Sequence, residues 1–298
     1  MKILVSGASG LVGSEVSRFL AAQGHQVLAL QRKTTRPPYW DTDRKIIELG
    51  TDPADTGIDA VIHLAGENIA QGRWTAAKKE RILRSRVDGT HLLAEFFASA
   101  EYRPRIIISA SAVGFYGDRG AEQLDETAGR GAGFLADVAD AWEKATVPAA
   151  EAGIRVVQLR FGMVLSPAGG GLAKMLPPFR LLGIGGPMGN GRQYMSWISI
   201  REIGEIILHV LEQEKLHGPV NAVAPHPVTN AQFTKILANV LRRPAFLPVP
   251  GFLLSLLFGE MARELVLAST RVYPAKLLES GYPFRAPELE TALRNLLC

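Results

Sequence analysis

Short apolar runs alternate with amphipathic stretches along most of the chain. Branched and other apolar residues concentrate in seven runs: Lys2–Ser6, Gln26–Gln31, Lys45–Leu49, Asp59–Leu64, Arg105–Ser109, Arg155–Leu159 and Pro219–Val223. Between them, apolar residues recur three and four positions apart in stretches such as Val12–Gln23, Ala76–Ala100 and Phe134–Ala152. Apolar strands separated by helices are typical of a parallel sheet that is covered on both faces. The pattern predicts the α/β class, with a doubly wound, seven-stranded, mostly parallel sheet of the Rossmann type.

The texture of the chain changes after Phe161. Residues 166–191 are rich in glycine and proline, and a loop of this length is usually functional or mobile. Ser199–Glu202 and Thr229–Gln232 then have the spacing of a capping box, and each precedes an apolar stripe of helical period. Both positions are therefore predicted to begin a helix.

The composition narrows the classes of function. The 298 residues carry a formal net charge of +4, and 47% of them are apolar. The densest basic stretch, Lys78–Arg86, interleaves apolar residues at helical spacing, so we interpret it as a solvated helix face and expect no nucleic-acid partner. An anionic small ligand accounts better for the excess positive charge. The single cysteine, Cys298, allows neither an internal disulfide nor a cysteine-based metal site, which is typical of a reducing compartment.

Targeting and membrane-spanning patterns are not found. The chain begins with a strand that glycine interrupts too soon for a signal peptide, and no apolar run approaches the ~18 residues that span a bilayer. The most apolar segment, Phe252–Phe258, is interpreted as a buried helix turn or an interface patch. We therefore expect a soluble, cytoplasmic protein with no metal site and no membrane partner. A homodimer remains open.

The clearest chemical motif follows the first strand directly and opens the first helix. It reads Gly7-Ala8-Ser9-Gly10-Leu11-Val12-Gly13, a GxxGxxG pattern. In a dinucleotide site the first glycine allows the tight turn, the second lets the backbone approach the pyrophosphate, and the third lets helix and strand pack closely. The helix N-terminus then offers N–H groups to the phosphates. We predict that the cofactor contacts Gly7, Ser9, Gly10, Leu11, Val12 and Gly13.

The end of the second strand favours NADP(H) over NAD(H). An NAD site places a carboxylate about 20 residues beyond the motif, on the ribose 2′-hydroxyl. Here the strand ends in Arg32 and Lys33, with no carboxylate. A 2′-phosphate beside Arg32 and Lys33 would gain charge-assisted hydrogen bonds. The alternative is that Arg32 is an ordinary surface arginine at a strand end.

Taken with this motif, several further segments resemble the extended short-chain dehydrogenase/reductase superfamily, and within it the uncharacterised "epimerase family protein" branch. The segments that carry the resemblance are His63–Gly66, Leu159–Gly162, Gly66–Ile69, Arg73-Trp74, Ser85-Arg86, Gly189–Trp197, Asn221–Pro225, Arg243-Pro244 and Leu247–Pro250. The likeness covers essentially the whole chain. It implies that six residues at the strand ends lie beside the cofactor: Leu64, Ala65, Gly66, Ser109, Ala110 and Arg160.

The resemblance also suggests a division of the chain. It implies a Rossmann domain over residues 1–165, to which 197–224 return. The remainder of 166–298 would form a smaller, mostly helical lobe on the substrate side, which is therefore discontinuous. From about residue 225 this lobe would be the C-terminal domain of unknown function that is typical of the branch.

The catalytic residues that the superfamily implies are a Ser or Thr with a Tyr and a Lys, the last two in a YxxxK on the helix before the sixth strand. The Tyr exchanges a proton with the substrate oxygen, and the Lys lowers its pKa. Here that helix begins Phe134-Leu135 and has no Tyr or Lys in either register. The Asn expected before Val87 is also absent, because Arg86 stands there. The cofactor half is thus kept without the usual proton-transfer residues.

Two residues near the end of the fifth strand are the candidate replacements. Ser111 matches the superfamily's serine position best, and Tyr116 is predicted to be a proton donor whose pKa is tuned downward. The alternative is that Tyr116 is a packing tyrosine with its hydroxyl on the backbone. We interpret Glu143 and Lys144 as a solvated helix face, and His63 as a packed strand-end histidine.

The candidate substrate-binding residues lie in two loops. Arg73 and Trp74 follow the fourth strand, and Arg192, Gln193 and Trp197 lie in the segment that closes over the substrate in the superfamily. Each aromatic residue has the alternative of packing.

Two functional interpretations stay open. One is an NADP-dependent oxidoreductase or epimerase acting on an unknown small molecule, for which a nucleotide sugar rests on superfamily analogy alone. The other is a redox sensor or scaffold that binds NADPH without turnover. The missing YxxxK favours the second, and the long loop over 166–197 favours the first.

Overall fold

The computed structural model describes residues 1–32, 34, 36–50, 57–182 and 185–298. The strands in chain order are β1 Lys2–Ser6, β2 Gln26–Arg32, β3 Tyr39–Asp41, β4 Ile46–Glu48, β5 Ala60–His63, β6 Ile106–Ala112, β7 Gln123–Leu124, β8 Arg155–Phe161, β9 Met163–Leu165, β10 Tyr194–Met195, β11 Trp197–Ser199, β12 Gly218–Ala222, β13 Val228–Thr229 and β14 Arg271–Val272. The helices are α1 Leu11–Ala22, α2 Ala76–Ala98, α3 Phe134–Lys144, α4 Val147–Glu151, α5 Gly170–Pro177, α6 Ile200–Glu212, α7 Asn230–Leu241, α8 Gly251–Phe258, α9 Ala275–Glu279 and α10 Leu289–Leu297. Two short π-helical segments, Pro178–Leu182 and Ala262–Leu267, follow α5 and α8.

The main sheet has the order β12-β8-β6-β5-β1-β2-β3-β4. Every neighbouring pair is parallel except β3 with β4, so the predicted mostly parallel Rossmann sheet is confirmed. The predicted count of seven is wrong, because the described sheet has eight strands. The missed strand is β3, three residues with one buried side chain, Trp40, which is too short to show an apolar run. It lies between β2 and the predicted strand Lys45–Leu49, which the structure has as β4.

Two of the predicted helix boundaries differ from the structure. The single helix predicted over Phe134–Ala152 is two, α3 and α4, and Pro148 stands in the first turn of α4. The capping box predicted at Ser199–Glu202 does not form, since the Ser199 side chain makes no capping hydrogen bond. The Glu202 carboxylate accepts instead from the Tyr282 hydroxyl and the Arg285 amide, each at 2.9 Å. The capping box at Thr229–Gln232 is present as predicted.

The core lies on both faces of the sheet because alternate strand residues face opposite sides. Ile3 and Val5 of β1 belong to one cluster with apolar residues of α1 and α6, whereas Leu4 belongs to the other with residues of α2. All five residues of β1 are buried. The first cluster extends to α7, α9 and α10, so the mostly helical C-terminal part packs onto the same core. Within the described ranges, no helix combines the length and the apolar character that crossing a membrane requires.

Candidate active site

The parallel strands bring their carboxyl ends to one edge of the sheet, where open α/β sheets bind ligands. Register pairs Ser6 with His63 and His63 with Ser109, so β1 and β5 end together, and β6 continues beyond them to Ala112. The glycine motif follows β1, and Gly66 follows β5. The motifs that the sequence singled out therefore converge on this edge.

In the glycine motif, two positions must be glycine because of backbone conformation or close packing, and the third leaves room beside the backbone for a ligand. Gly7 has φ +73°, and a Cβ at Gly13 would lie 2.0 Å from the Gly7 carbonyl oxygen, so both positions need glycine for packing. A Cβ at Gly10 would have only the Gly7 carbonyl oxygen nearby, at 3.2 Å. Gly10 is the exposed N-cap of α1 and provides no side-chain cap. The first N–H groups of α1 are therefore available to an anionic ligand.

The loop after β9 packs against Leu11 of the glycine motif. A Cβ built at Gly169 would lie 3.3 Å from the Leu11 side chain, and one at Gly170 would lie 3.5 Å from it. Leu11 and Val12 are half-buried, whereas Ser9 is exposed. The start of the glycine-rich segment thus closes one wall beside the turn.

Arg32 ends β2 on the same edge. Its side chain is exposed, and its Cζ lies 5.8 Å from the centroid of the buried Trp40 ring. An exposed guanidinium supported on an aromatic face is suited to a phosphate. Lys33, its predicted companion, lies outside the described residues.

His63 is packed, as predicted. Its Nδ1 lies 2.5 Å from the Ser6 hydroxyl, and its ring meets the Trp40 ring edge-on at 5.6 Å. Burial, with a smaller contribution from Arg32, lowers the pKa of His63 to about 3. The ring is therefore neutral at physiological pH.

Gly66, next to the end of β5, is exposed beside Arg86. A Cβ at Gly66 would lie 3.4 Å from the Arg86 guanidinium, which donates to the Glu67 carbonyl at 3.1 Å. The guanidinium also lies 5.0 Å from the centroid of the Trp142 ring, and burial lowers the pKa of Arg86 to about 10. Where the superfamily would place an Asn, this chain thus ties the β5 loop to α2 through an arginine.

Ser111, Arg160 and Asn221 are register partners across β6, β8 and β12. Ser111 donates to Glu143 Oε1 at 2.7 Å, and Arg160 binds both carboxylate oxygens of Glu143, through Nε at 2.7 Å and Nη2 at 2.8 Å. The side chain of Arg160 is 3% exposed and that of Glu143 is 13% exposed. The interpretation of Glu143 as part of a solvated face is therefore wrong, although its neighbour Lys144 is exposed.

Tyr116 closes this buried network. Its hydroxyl donates to Asn221 Oδ1 at 2.8 Å and accepts from Arg160 Nη1 at 2.9 Å, and the residue is fully buried. Burial raises the pKa of Tyr116 to about 12, against the opposing effect of Arg160. The prediction that this pKa is tuned downward for proton donation is wrong. Tyr116 is a packed tyrosine, but its hydroxyl bonds the side chains of Asn221 and Arg160 and not the backbone that the alternative expected.

Arg160 does not face a ligand either. Besides its three hydrogen bonds to Glu143 and Tyr116, its Cζ lies 3.6 Å from the centroid of the Phe115 ring. The predicted cofactor contact of the Arg160 side chain is therefore wrong, because the guanidinium is buried and hydrogen-bonded to Glu143 and Tyr116. Ser109 and Ala110 are also buried, and their cofactor contact stays a prediction.

The start of α3, where the superfamily's tyrosine would stand, is instead capped by a distant carboxylate. Glu264 accepts from the Phe134 amide at 2.9 Å and from the Leu135 amide at 2.8 Å, one hydrogen bond to each oxygen. The Trp74 ring meets the Phe134 ring edge-on at 5.2 Å, and Lys79 Nζ lies 4.4 Å from the centroid of the same ring. Glu264 was missed from the sequence, where no motif connects it to α3.

A cavity of about 230 Å³ opens beside this capped helix end. Glu264, Arg263, Asp118 and Thr270 supply its polar wall, and the rest is glycine, alanine and Leu135. The cavity combines space for a small molecule with titratable groups of both signs. Across the described residues, no group of His, Cys, Asp and Glu has the arrangement that would hold a metal ion.

The predicted substrate-binding residues divide into exposed and buried ones. Arg73 and Arg192 are exposed, and Arg73 donates to the Leu256 carbonyl at 2.9 Å. Trp74 is half-buried beside Phe134, with its Nε1 on the Ile69 carbonyl at 2.8 Å. For these three residues a substrate contact stays a prediction.

The side chains of Gln193 and Trp197 point into the protein, so the prediction that they contact the substrate is wrong. Gln193 Nε2 donates to the Met188 carbonyl at 2.9 Å, and the residue is buried. Trp197 is fully buried in the core and donates through Nε1 to the His226 carbonyl at 3.1 Å. Both side chains hold the loop together.

Comparison with known proteins shows the family. Residues 3–223 match the NAD dependent epimerase/dehydratase family, and residues 249–296 match a "Domain of unknown function (DUF1731)". The chain belongs to the NAD dependent epimerase/dehydratase family, within the extended short-chain dehydrogenase/reductase superfamily.

Individual relatives span the whole chain. It is 40% identical over 295 residues to "Epimerase family protein Mb2239" of Mycobacterium bovis, covering 98% of this chain and 96% of the relative. A crystal structure of human epimerase family protein SDR39U1 (isoform 2) with NADPH has a TM-score of 0.90 at 33% identity, covering 99% of both chains. A nucleoside-diphosphate sugar epimerase from Corynebacterium glutamicum has a TM-score of 0.79 at 38% identity, covering all of this chain and 58% of its own.

Proposed function

We propose that this protein binds NADP(H) and uses it in an oxidoreductase or epimerase reaction on a small molecule. The observation that carries the proposal is the combination of a glycine turn that is open at Gly10 with an exposed Arg32 at the end of the neighbouring strand. The human relative that was crystallised with NADPH supports the choice of cofactor.

The residues present fit this cofactor. The uncapped first turn of α1 would hold the pyrophosphate, and Arg32 would hold the 2′-phosphate. Leu64, Ala65 and Gly66 would flank the cofactor after β5. When bound, NADP(H) supplies or accepts a hydride.

The proton has to be handled without the usual Tyr and Lys. Glu264 is the titratable group held against the start of α3, and it also lines the cavity, so we assign it the exchange of a proton with a substrate hydroxyl. The Ser111 hydroxyl donates its hydrogen to Glu143. Its oxygen would therefore accept a hydrogen bond from a substrate hydroxyl and orient the substrate in this way. Arg73, Trp74 and Arg192 stay proposed substrate contacts.

A redox sensor that binds NADPH without turnover is the second candidate. It is supported by the apolar start of α3, where Phe134, Leu135 and Val138 offer no titratable side chain. A cytoplasmic location, the absence of a nucleic-acid partner and a homodimer are further proposals, the first supported by the single cysteine.

A metabolite panel assayed by nicotinamide absorbance separates the two candidates. If the protein is an enzyme, Glu264→Gln should lower turnover by roughly 10²–10⁴-fold while NADPH affinity stays within about twofold. The exposed Glu80→Gln is the matched control, and it should change neither quantity. Turnover that is unaffected in Glu264→Gln would remove Glu264 from the reaction. NADPH binding without turnover on any substrate would favour the sensor.

A further inference from the structure

Exposed apolar side chains concentrate in one short segment of the C-terminal part. Of the twelve large apolar residues that are exposed in the described ranges, eight lie within residues 246–265. This apolar patch consists of Phe246, Leu247, Phe252, Leu253, Leu256, Leu257, Phe258 and Leu265. Eight such side chains present several hundred Å² of apolar surface, the size at which an exposed patch marks an interaction site.

The patch is centred on α8, whose apolar residues face outward. Phe252 is 75% exposed and Leu256 is 69% exposed, with Leu253 and Leu257 on the same helix face, whereas Leu254 packs inward. The helix sequence GFLLSLLF contains no charged residue. A helix that shows this face to its surroundings is not explained by packing within the chain.

The charged residues that adjoin the patch in the sequence and form no ion pair or helix cap in the described ranges are basic. Arg242 and Arg243 precede it and Arg263 lies within it, and no carboxylate pairs with them in the part of the chain that is described. The acidic residues of the segment are engaged elsewhere: Glu260 pairs with Lys79 at 2.8 Å, and Glu264 caps α3. The rim is therefore complementary to an anionic surface.

Three kinds of partner could cover the patch: a second copy of the chain, another protein or a membrane surface. The charges and side chains of the patch favour one of them. A second copy of the chain would bring two basic rims together, and charges of the same sign across an interface are unfavourable. A protein interface carries about ten direct hydrogen bonds, yet the exposed face of α8 offers only leucine and phenylalanine side chains. An exposed phenylalanine and leucine face with arginines outside it matches the boundary of an anionic membrane, where apolar side chains are buried among acyl chains and basic side chains meet the headgroups.

We propose that α8 and its neighbouring arginines dock this protein on an anionic lipid surface. The side chains of Phe252 and Leu256 insert among the acyl chains, and Arg242 and Arg243 bind the headgroups. From the sequence we expected no membrane partner, because no apolar run can span a bilayer; docking on the surface needs only an exposed helix face. The proposal is independent of whether the protein turns over a substrate.

Flotation of the full chain with lipid vesicles tests this docking. We expect binding to vesicles of phosphatidylcholine mixed with phosphatidylglycerol and weaker binding to phosphatidylcholine alone. Phe252→Ser combined with Leu256→Ser should weaken binding at least about tenfold, since each buried methylene contributes. Tyr102→Ser is the control, because Tyr102 is similarly exposed but lies outside the patch.

The basic rim is tested in the same assay. Arg242→Gln with Arg243→Gln should weaken binding to the anionic vesicles by about fivefold for each arginine. Arg201→Gln with Lys235→Gln removes the same charge from exposed positions elsewhere and should have little effect. An unchanged thermal midpoint in each variant confirms that the fold is intact.

Three results would overturn the proposal. These are the absence of vesicle binding, equal binding by the Phe252/Leu256 variant, and a dimer in light scattering that the same variant converts to monomers. The last result would assign the patch to a second copy of the chain.

Discussion

Arg160 and Glu143 form a two-pronged ion pair between β8 and α3, at 2.7 Å and 2.8 Å. The Ser111 hydroxyl donates to the same carboxylate, and the Tyr116 hydroxyl accepts from the same guanidinium. A buried polar network therefore joins the strands at the edge of the sheet where the active sites of the superfamily lie. The network explains why the side chains of Glu143, Arg160 and Tyr116 are unavailable to a ligand.

Breaking this pair should destabilise the fold. Glu143→Ala leaves the Arg160 guanidinium buried without its carboxylate, and removing one partner of a buried pair costs about 3–5 kcal/mol. Urea unfolding measures the loss. Lys144→Ala, next to it on the exposed face, should cost under about 1 kcal/mol. Equal losses in the two variants would show that the pair contributes nothing particular.

The two later glycines of the motif should separate folding from binding. A side chain at Gly13 collides with the Gly7 carbonyl, so Gly13→Val should prevent correct folding. In Gly10→Val the Cβ meets only the Gly7 carbonyl oxygen, at 3.2 Å, which a small shift relieves. This variant should fold but lose NADPH binding, because the side chain occupies the path of the pyrophosphate. Circular dichroism and titration with NADPH check the two variants. Undiminished affinity in a folded Gly10→Val protein would mean that the motif is only a turn.

His63 should make stability fall on acidification. Its folded pKa of about 3 lies below the ordinary value of 6.5, so between these values the unfolded chain binds more protons than the folded one. The free energy of unfolding should therefore decrease as the pH falls below about 6.5, by up to ~1.4 kcal/mol for each pH unit. Above pH 6.5 both states are neutral at this residue, and the effect vanishes.

His63→Asn isolates the contribution of this residue. Asparagine does not titrate, so the variant should lose less stability than the wild type between about pH 7 and pH 5 in urea unfolding. His91→Asn, at an exposed position, should retain the wild-type slope. An unchanged slope in His63→Asn would mean that the His63 ring has the same pKa in the folded and unfolded states.

Local patterns predicted the strands and the cofactor turn because each depends on adjacent residues. The glycine motif, the Thr229 cap and the apolar runs are of this kind. What the sequence did not predict depends on register and on contacts between distant segments. Arg160 carries a motif resemblance, but only its alignment with Ser111 and Asn221 across three strands turns it into the network.

The same limit applies to Glu264, the proposed acid–base group. Glu264 accepts from the amides of Phe134 and Leu135, which lie 130 and 129 residues before it in the sequence, so no spacing could reveal it. Trp197 and Gln193 were wrongly assigned to the substrate because the sequence does not show which way a side chain faces. An aromatic or amide residue in a loop gives the same pattern whether it contacts a ligand or the core. Burial decided both.

The central claim is that this chain binds NADP(H) through Arg32. Titration calorimetry with NADPH and NADH, on the wild type and on Arg32→Ala, tests it most directly. We expect the wild type to bind NADPH at least about tenfold more tightly, which corresponds to ~1.4 kcal/mol, since a charge-assisted hydrogen bond contributes about that much. Arg32→Ala should lose this preference and retain its NADH affinity. Equal affinities for the two cofactors in the wild type, or an unchanged preference in Arg32→Ala, would contradict the account.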